Sequence, residues 1–218
     1  MIKFDYVNHE QIIELFAFLK HQEIEFILLR NINDELPYKL QKTKDIDILV
    51  NPIHKSKLKK VLNLDGWLNI WHPWDFGNNF KFLYSMDKFL MFKKGDIHLD
   101  ICFQISCRSF NDREWFPLDE SIQISSFKNK RHVNSIWSYE LSFEDELIHL
   151  ITRCIFDKIC FNDGYINKIE ILLKKIDLEL FKIKCNKVFF KFSTVLVKLI
   201  IDKKYDDIRS KYLTFKDY

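Results

Sequence analysis

Two aspartates stand inside an otherwise apolar run of the chain, Asp45-Ile46-Asp47-Ile48-Leu49-Val50. A run that first alternates and then becomes wholly apolar is typical of a central strand whose start opens onto a site. Residues two apart on a strand project from the same face, so Asp45 and Asp47 are expected side by side. Two close carboxylates repel each other, and a sheet that keeps both is expected to bind a neutralising cation. The same repulsion predicts that Asp47→Asn leaves the metal-free fold intact or more stable.

A third carboxylate, Asp100, lies in the later stretch Asp96-Ile97-His98-Leu99-Asp100-Ile101. If this stretch is a strand beside the first, the three aspartates converge, and Asp100 is placed to help deprotonate an acceptor. Carboxylate oxygens are hard ligands, which favours Mg²⁺ or Mn²⁺. His98 shares the face of Asp100 and is expected beside the ligands or in the core. Asp96 follows Gly95 and is expected in a turn.

The composition predicts a folded chain of ordinary size. Its 218 residues are 47% hydrophobic with 21 Phe, 4 Gly and 4 Pro, which supplies enough apolar side chains for one domain and a helical appendage. The net charge of +3 balances 34 basic against 31 acidic residues, which argues against a protein that coats nucleic acid. Four glycines leave no Gly-rich phosphate loop of the Walker or Rossmann kind.

Cysteine usage and hydropathy predict a cytoplasmic protein. The five cysteines lack the C-x-x-C spacing of a zinc site, and their odd number fits a reducing compartment. The start of the chain has no uninterrupted apolar segment like that of a signal peptide. The most apolar late stretch, Val188–Ile201, is shorter than the roughly 20 residues that span a bilayer and contains two lysines, so no transmembrane segment is expected.

The first part of the chain reads as alternating helices and strands. Apolar spacing predicts a helix over His9–Leu19 with Asn8 as its N-cap, and a buried strand over Glu25–Arg30. A polar loop over Asn31–Lys44 then leads to the strand of the two aspartates. A further helix is expected from Pro52 to Leu64, with Gly66 ending it.

Period-two alternation between Trp67 and Phe103 predicts antiparallel strands. These are Trp67–Trp71, Phe80–Tyr84, Phe89–Phe92 and Ile97–Ile101, with turns near Asp75–Asn79, Met86-Asp87 and Lys94–Asp96. Ser121–Phe127 and Val133–Trp137 are candidate edge strands.

A cap at Ser142 then opens a helical part with helices over Tyr165–Lys175, Glu179–Ile201 and from Asp206. The expected fold class is α+β, with a mixed sheet and flanking helices in residues 1–140 and a helical domain in 141–218.

The segment around the two aspartates resembles a known superfamily. Phe26–Asn31, a loop with Leu36-Pro37, and Lys44–Val50 resemble the core of the nucleotidyltransferases related to DNA polymerase beta. The similarity is greatest to uncharacterised bacterial nucleotidyltransferases often associated with surface-polysaccharide genes, and it covers about residues 10–160. The resemblance implies a small mixed sheet followed by helices, with Asp45, Asp47 and Asp100 as the metal-binding and catalytic residues.

One departure from that pattern concerns the donor. Where the superfamily has a Gly-Ser turn that approaches a nucleoside triphosphate, this chain has Arg30-Asn31. The Arg30 guanidinium can grip a phosphate bidentately in place of backbone amides, or it can pair with Asp34 or Glu35 in an ordinary salt bridge. A donor other than a triphosphate, as in the similar phosphocholine-transferase and fukutin-like branch, is the alternative. The expected donor-binding residues are Arg30, Asn31, Lys44 and His98.

Three functions therefore compete. The first is metal-dependent transfer of a nucleotidyl or substituted phosphoryl group, from a nucleotide or another activated phosphate donor, to a hydroxyl of a small molecule or glycan. The second is an inactive binding or regulatory module on the same fold. The third is a nucleic-acid-binding protein, for which aromatic and basic residues between positions 67 and 94 could provide a surface. Those candidates are Trp67, Trp71, Trp74, Lys81, Lys93 and Lys94. Their alternation along strands favours a core or cleft wall instead, so nucleic acid is not the expected partner.

Overall fold

The computed structural model describes residues 5–70, 81–82, 90–108 and 114–217. Its elements are, in chain order, α1 (His9–His21), β1 (Phe26–Leu29), β2 (Asp45–Val50), α2 (Lys55–Leu64), β3 (Leu68–Ile70), β4 (Lys81–Phe82), β5 (Leu90–Lys94), β6 (Ile97–Cys102), β7 (Ser106–Arg108), β8 (Glu114–Pro117), α3 (Glu120–Lys128), β9 (Arg131–His132), β10 (Tyr139–Glu140), α4 (Phe143–Thr152), α5 (Asp163–Leu173), α6 (Leu178–Phe189), α7 (Ser193–Ile201) and α8 (Tyr205–Thr214). Short 3₁₀ turns cover Ile32–Asp34, Pro52–His54 and Phe190–Phe192, and a π-helical turn covers Arg153–Asp157.

A mixed seven-stranded sheet forms the centre of the fold, in the order β3-β5-β6-β2-β1-β10-β9. Strand β2 pairs parallel with β6 and antiparallel with β1, and β1 pairs parallel with β10. A separate three-stranded sheet has the order β4-β8-β7. The predicted α+β class, with a mixed sheet, flanking helices and a helical C-terminal part, is confirmed.

The central strands divide their side chains between two cores. One face carries Ile46 and Ile48, which pack in a cluster with residues of α1 and α2. The opposite face carries Leu29 and Leu49, which pack in a cluster with residues of α4 to α8. Because side chains alternate along a strand, the aspartates of β2 and β6 belong to this second face. They therefore lie between the sheet and the C-terminal helices.

The elements expected near the start of the chain are confirmed. The Asn8 side chain caps α1 by accepting a hydrogen bond from the Glu10 backbone N–H at 3.0 Å. Pro52 opens the turn that leads into α2, and Gly66 follows that helix with a φ of 79°. At this φ a Cβ is disfavoured, so glycine is the suitable residue to end the helix.

Two predictions between residues 108 and 140 are wrong. Ser121–Phe127, expected as a strand, lies in α3, which Asp119 caps by accepting from the Ser121 backbone N–H at 3.0 Å. Val133–Trp137, also expected as a strand, connects β9 to β10. There the Asn134 side chain accepts hydrogen bonds from the backbone ahead of it. These local bonds favour a cap and a turn over extended backbone.

The alternating region agrees with prediction only in part. Strands β3, β5 and β6 are antiparallel neighbours, and β5 and β6 turn at the expected Lys94–Asp96. Strand β4, expected to be antiparallel, instead pairs parallel with β8. The predicted turns at Asp75–Asn79 and Met86-Asp87, the remainder of the strand predicted over Phe80–Tyr84, and Trp71 and Trp74 lie outside the described residues.

The start of α4 is fixed by buried polar contacts. Ser142 caps the helix as predicted, accepting from the Asp145 backbone N–H at 3.2 Å. The fully buried Asp145 carboxylate pairs with Lys184 of α6 at 2.5 Å. Glu146 pairs with Arg131 at 2.6 Å. A buried carboxylate with matched cations holds its helix in one position, so residues in the following turns of α4 are also well placed.

The long helix predicted over Glu179–Ile201 is broken. It divides into α6 and α7 at Phe190, whose φ of 49° and ψ of −133° are not helical. The helices predicted near residues 165 and 206 are present as α5 and α8. Within the described residues, no helix is long and apolar enough to cross a membrane. The division into domains near residue 140 stays a prediction.

Candidate metal centre and ligand cavities

Asp45, Asp47 and Asp100 converge at one end of the parallel pair β2 and β6. The register sets Asp47 directly opposite Asp100 and Asp45 opposite His98. One carboxylate oxygen from each aspartate lies within 4.8 Å of the others. The predicted placement of Asp100 on the strand next to the Asp-x-Asp pair is therefore confirmed, and it follows from strand pairing.

The three carboxylates differ in exposure and charge. Asp45 is exposed, whereas Asp47 and Asp100 are partly buried. Burial and the neighbouring Asp45 carboxylate raise the pKa of Asp100 to about 6, against the opposing effects of Arg30 and Arg153. The sequence predicted repulsion between Asp45 and Asp47, and the structure shows the Asp45 carboxylate also acting on Asp100.

The donor set fits a divalent cation. It consists of three carboxylates, the oxygen ligands that Mg²⁺ and Mn²⁺ prefer. One oxygen of Asp100, Oδ1, is buried and has no hydrogen-bond partner. A buried, unpaired carboxylate oxygen is costly, and ligation to a cation would remove that cost.

Arg30 reaches the carboxylates from the end of β1. Its backbone has a φ of 56°, in the left-handed region that glycine adopts most readily. Its guanidinium pairs with Asp47, and both side chains are largely buried. Burial and the nearby Arg153 lower the pKa of Arg30 to about 10, which leaves the guanidinium charged at neutral pH. The suggested ion pair with Asp34 or Glu35 is not the one formed, since β1 pairs directly with the aspartate strand.

The other expected donor-binding residues divide into two groups. Asn31 and Lys44 line a cavity beside Asp45 and Asp47. Asn31 is nevertheless used by the fold, because its side-chain oxygen accepts from the Leu36 backbone N–H at 3.1 Å. Lys44 pairs with Glu35 at 2.5 Å. His98 lies on the expected face of β6, but it is not among the described residues that line the cavities around the aspartates.

Two cavities meet at the aspartates. The first, the β7-side cavity, has a volume of about 370 Å³ and extends from Asp100 toward Arg108, Trp115 and His149. The second, the loop-side cavity, has a volume of about 440 Å³ and extends along the loop after β1 toward α5. Both are lined by Arg30, Asp45, Asp47, Arg153 and Lys158. Asp45 and Asp47 therefore border both spaces, whereas Asp100 borders the β7-side cavity alone.

The sequence interpretation missed the residues that the C-terminal part contributes. Arg153, in the π-helical turn after α4, lines both cavities, pairs with Asp157 at 2.6 Å and donates to the Tyr165 hydroxyl at 3.3 Å. His149, one helical turn earlier, lines the β7-side cavity. The sequence did carry a signal for them, because His149 and Arg153 are polar residues four apart among the apolar residues of the same helix. That spacing sets both on one face of a helix.

Comparison with solved structures finds only a weak similarity in fold to known proteins. No protein-family model and no curated protein matches the chain. A solution structure of the antibiotic-resistance factor ANT(2'')-Ia aligns with a TM-score of 0.49 and 9% identity, covering 96% of this chain and 100% of that chain. A crystal structure of ANT(2'')-Ia in complex with adenylyl-2''-tobramycin aligns with a TM-score of 0.49 and 12% identity, covering 81% and 93%.

Proposed function

We propose that this chain is a metal-dependent transferase that moves a nucleotidyl or substituted phosphoryl group onto a hydroxyl of a small molecule or glycan. The observation that supports this most strongly is the carboxylate triad, of which Asp45 and Asp47 line both cavities and Asp100 lines the β7-side cavity. A group transfer needs space for a donor and for an acceptor on either side of the reacting centre. A single structural ion would need no cavity at all.

The side chains at the triad suit attack of a hydroxyl on phosphorus. Asp45, Asp47 and Asp100 would hold the divalent cation, which when bound would stabilise charge on the attacking and leaving oxygens. Asp100 is placed to accept the acceptor's hydroxyl proton. The acceptor oxygen then forms its bond to phosphorus as the bond from phosphorus to the leaving group breaks.

The cationic side chains around the triad suit a phosphate-bearing donor. Both cavities are lined by Arg30, Arg153 and Lys158. A guanidinium group can bind two oxygens of one phosphate through two parallel hydrogen bonds. The residues before and on β2 resemble the polymerase beta-like nucleotidyltransferases, which supports a nucleotide as the first donor to test. The same residues resemble nucleotidyltransferases associated with surface-polysaccharide genes, so a glycan is included among the acceptors to test.

The test is turnover by the purified chain with Mg²⁺ or Mn²⁺, measured with a panel of nucleoside triphosphates, nucleotide-activated alcohols and activated sugars. Hydroxyl acceptors are supplied as amino sugars, alditols and oligosaccharides, and product is detected by mass spectrometry. The proposal predicts product only with the metal, and none from Asp45→Asn. Asp96→Asn, on the exposed β5–β6 turn, is the matched control and should keep full activity. Activity that persists in EDTA and in Asp45→Asn would refute the proposal.

A binding module without turnover is the second candidate, and the Arg30–Asp47 ion pair favours it. In that pair the Arg30 guanidinium neutralises Asp47, which is one of the three carboxylates that would otherwise ligate the cation. In this case Mg²⁺ and a phosphate ligand would raise the melting temperature while no donor is consumed. The same panel, read by thermal shift and by mass spectrometry, separates the two candidates.

A further inference from the structure

His149 is a buried histidine whose position is set by the helix that carries it. It lies in α4, whose first turn is held by the Asp145–Lys184 pair. The residue is only 7% exposed, and it lines the β7-side cavity together with Asp100 and Arg153. Its ring is therefore fixed at the wall of the space next to the triad.

Both ring nitrogens of His149 are buried and have no hydrogen-bond partner. Buried side-chain polar atoms nearly always have one, because leaving a donor or acceptor unpaired costs free energy. Burial, with Arg30 and Arg153 nearby, lowers the pKa of His149 well below its usual value, so the imidazole is neutral. A neutral imidazole has one N–H to donate and one nitrogen to accept.

The surroundings indicate which ligand group would supply the missing partner. After burial, the charges of Arg30 and Arg153 have the largest effects on the pKa of the ring. Both guanidinium groups also line the cavity. A phosphate oxygen placed there would be attracted by two cations and could accept the imidazole N–H. A neutral sugar hydroxyl would gain less from the same two cations.

We propose that His149 is a donor-binding residue, which gives its ring N–H to a phosphate oxygen of the donor in the β7-side cavity. This inference rests on the proposed transferase function and assigns the donor phosphates to that cavity. The loop-side cavity is then left for the acceptor. Arg153, one turn along the same helical face, lines the same cavity and binds the same phosphate group.

A purely structural role for His149 predicts a different effect on ligand binding. If His149 were only part of the core, replacing the ring by phenylalanine would remove two unpaired polar atoms and change nothing at the ligand site. If His149 instead binds the ligand, its unpaired ring costs stability in the free protein, and His149→Phe should change ligand binding as well as stability. His149→Phe would then be as stable as wild type or more so, and would also bind the phosphate ligand less well.

The experiment measures binding of inorganic pyrophosphate with Mg²⁺ by calorimetry, alongside thermal unfolding without ligand. His149→Phe and His149→Gln are compared with wild type, and His21→Gln, exposed on α1 across the sheet, is the control. We expect at least about tenfold weaker pyrophosphate binding for His149→Phe, an intermediate loss for His149→Gln and no change for the control. Unchanged affinity in both His149 variants would overturn the inference.

A second measurement does not depend on a variant folding. In wild-type protein labelled with ¹⁵N, pyrophosphate should shift the imidazole nitrogen resonances of His149, and an unshifted ring would overturn the inference. Failure of the transferase proposal has a different signature. Pyrophosphate would then bind through His149 while no donor is turned over with any acceptor. If His149→Phe turns over the donor as fast as wild type, the proposed histidine contact is wrong and the transferase proposal still holds.

Discussion

Arg30 and Asp47 form an ion pair between the end of β1 and the neighbouring strand β2. The β1–β2 register pairs Leu29 with Asp47, so the residue that follows Leu29 is brought beside the carboxylate. The guanidinium therefore compensates one of the two charges that repel each other in the Asp-x-Asp strand. This relationship changes the expected effect of substitutions at both residues.

Asp47→Asn is expected to abolish metal-dependent turnover and also to destabilise the protein. The substitution removes a ligand charge, which should lower turnover by orders of magnitude. It also removes the ion-pair partner of the largely buried Arg30 charge, at a cost of about 3–5 kcal/mol. The gain in stability expected from the sequence is therefore reversed. Urea unfolding without metal measures the change. Asp96→Asn loses only a solvent-exposed ion pair with Lys42 and should alter stability by less than about 1 kcal/mol.

The left-handed backbone at residue 30 gives a prediction that is independent of charge. Arg30→Gly and Arg30→Ala both remove the guanidinium, but only glycine adopts a φ of 56° without strain from a Cβ. The glycine variant should be more stable than the alanine variant by about 1 kcal/mol. Chemical denaturation of the two variants side by side measures the difference. Equal stabilities would mean that the turn relaxes when the side chain is lost.

Arg30→Lys tests whether the guanidinium binds the donor. Lysine keeps the charge and can still pair with Asp47, but it lacks the planar fork that holds a phosphate through two hydrogen bonds. We expect donor affinity to fall by about tenfold or more while the melting temperature changes little. Calorimetric titration with the identified donor measures this. If Arg30→Lys and Arg30→Ala both bind the donor as wild type does, phosphate recognition belongs to Arg153 and Lys158 instead.

The sequence predicted the carboxylates because their signal is local and strong. Two charged residues at period-two spacing in an apolar strand have few explanations, and a similar strand carries Asp100. The partner of Arg30 was not predictable in the same way. Asp34 and Glu35 are near in sequence, whereas Asp47 becomes a neighbour only through strand pairing. His149 was hidden for a related reason, since an apolar helical stripe shows where a core is but not where a cavity interrupts it.

The break between α6 and α7 was missed because the residue at the break is not a glycine or proline. Apolar spacing continues through Phe189 and Phe192, which are both buried. Phe190 between them is 64% exposed and has a φ of 49°. Burial of its two neighbours, and not the preference of Phe190 itself, therefore determines the backbone at this point.

Phe190→Gly is accordingly expected to stabilise the protein. Glycine adopts positive φ without strain, and the exposed ring contributes little burial that would be lost. The expected gain is about 1 kcal/mol, seen as a higher urea midpoint with an unchanged m-value. Phe190→Ala removes the ring but keeps the Cβ and should show no such gain. A loss of stability in the glycine variant would show that the ring itself packs usefully.

The raised pKa of Asp100 predicts how the metal-free protein responds to pH. The folded value of about 6 lies above the ordinary value of 3.8, so folding favours the protonated carboxyl. The contribution to stability is fully present below the unfolded pKa and is lost as pH rises through about 6. In EDTA, the free energy of unfolding of wild type should therefore fall relative to Asp100→Asn by about 1–3 kcal/mol between pH 4 and pH 7. The amide cannot ionise, so a difference between the two proteins that stays constant over this range would contradict the assignment.

With Mg²⁺ present, the fall in wild-type stability with rising pH should weaken or reverse. Cation binding requires the ionised carboxylate and strengthens as pH rises through the same interval.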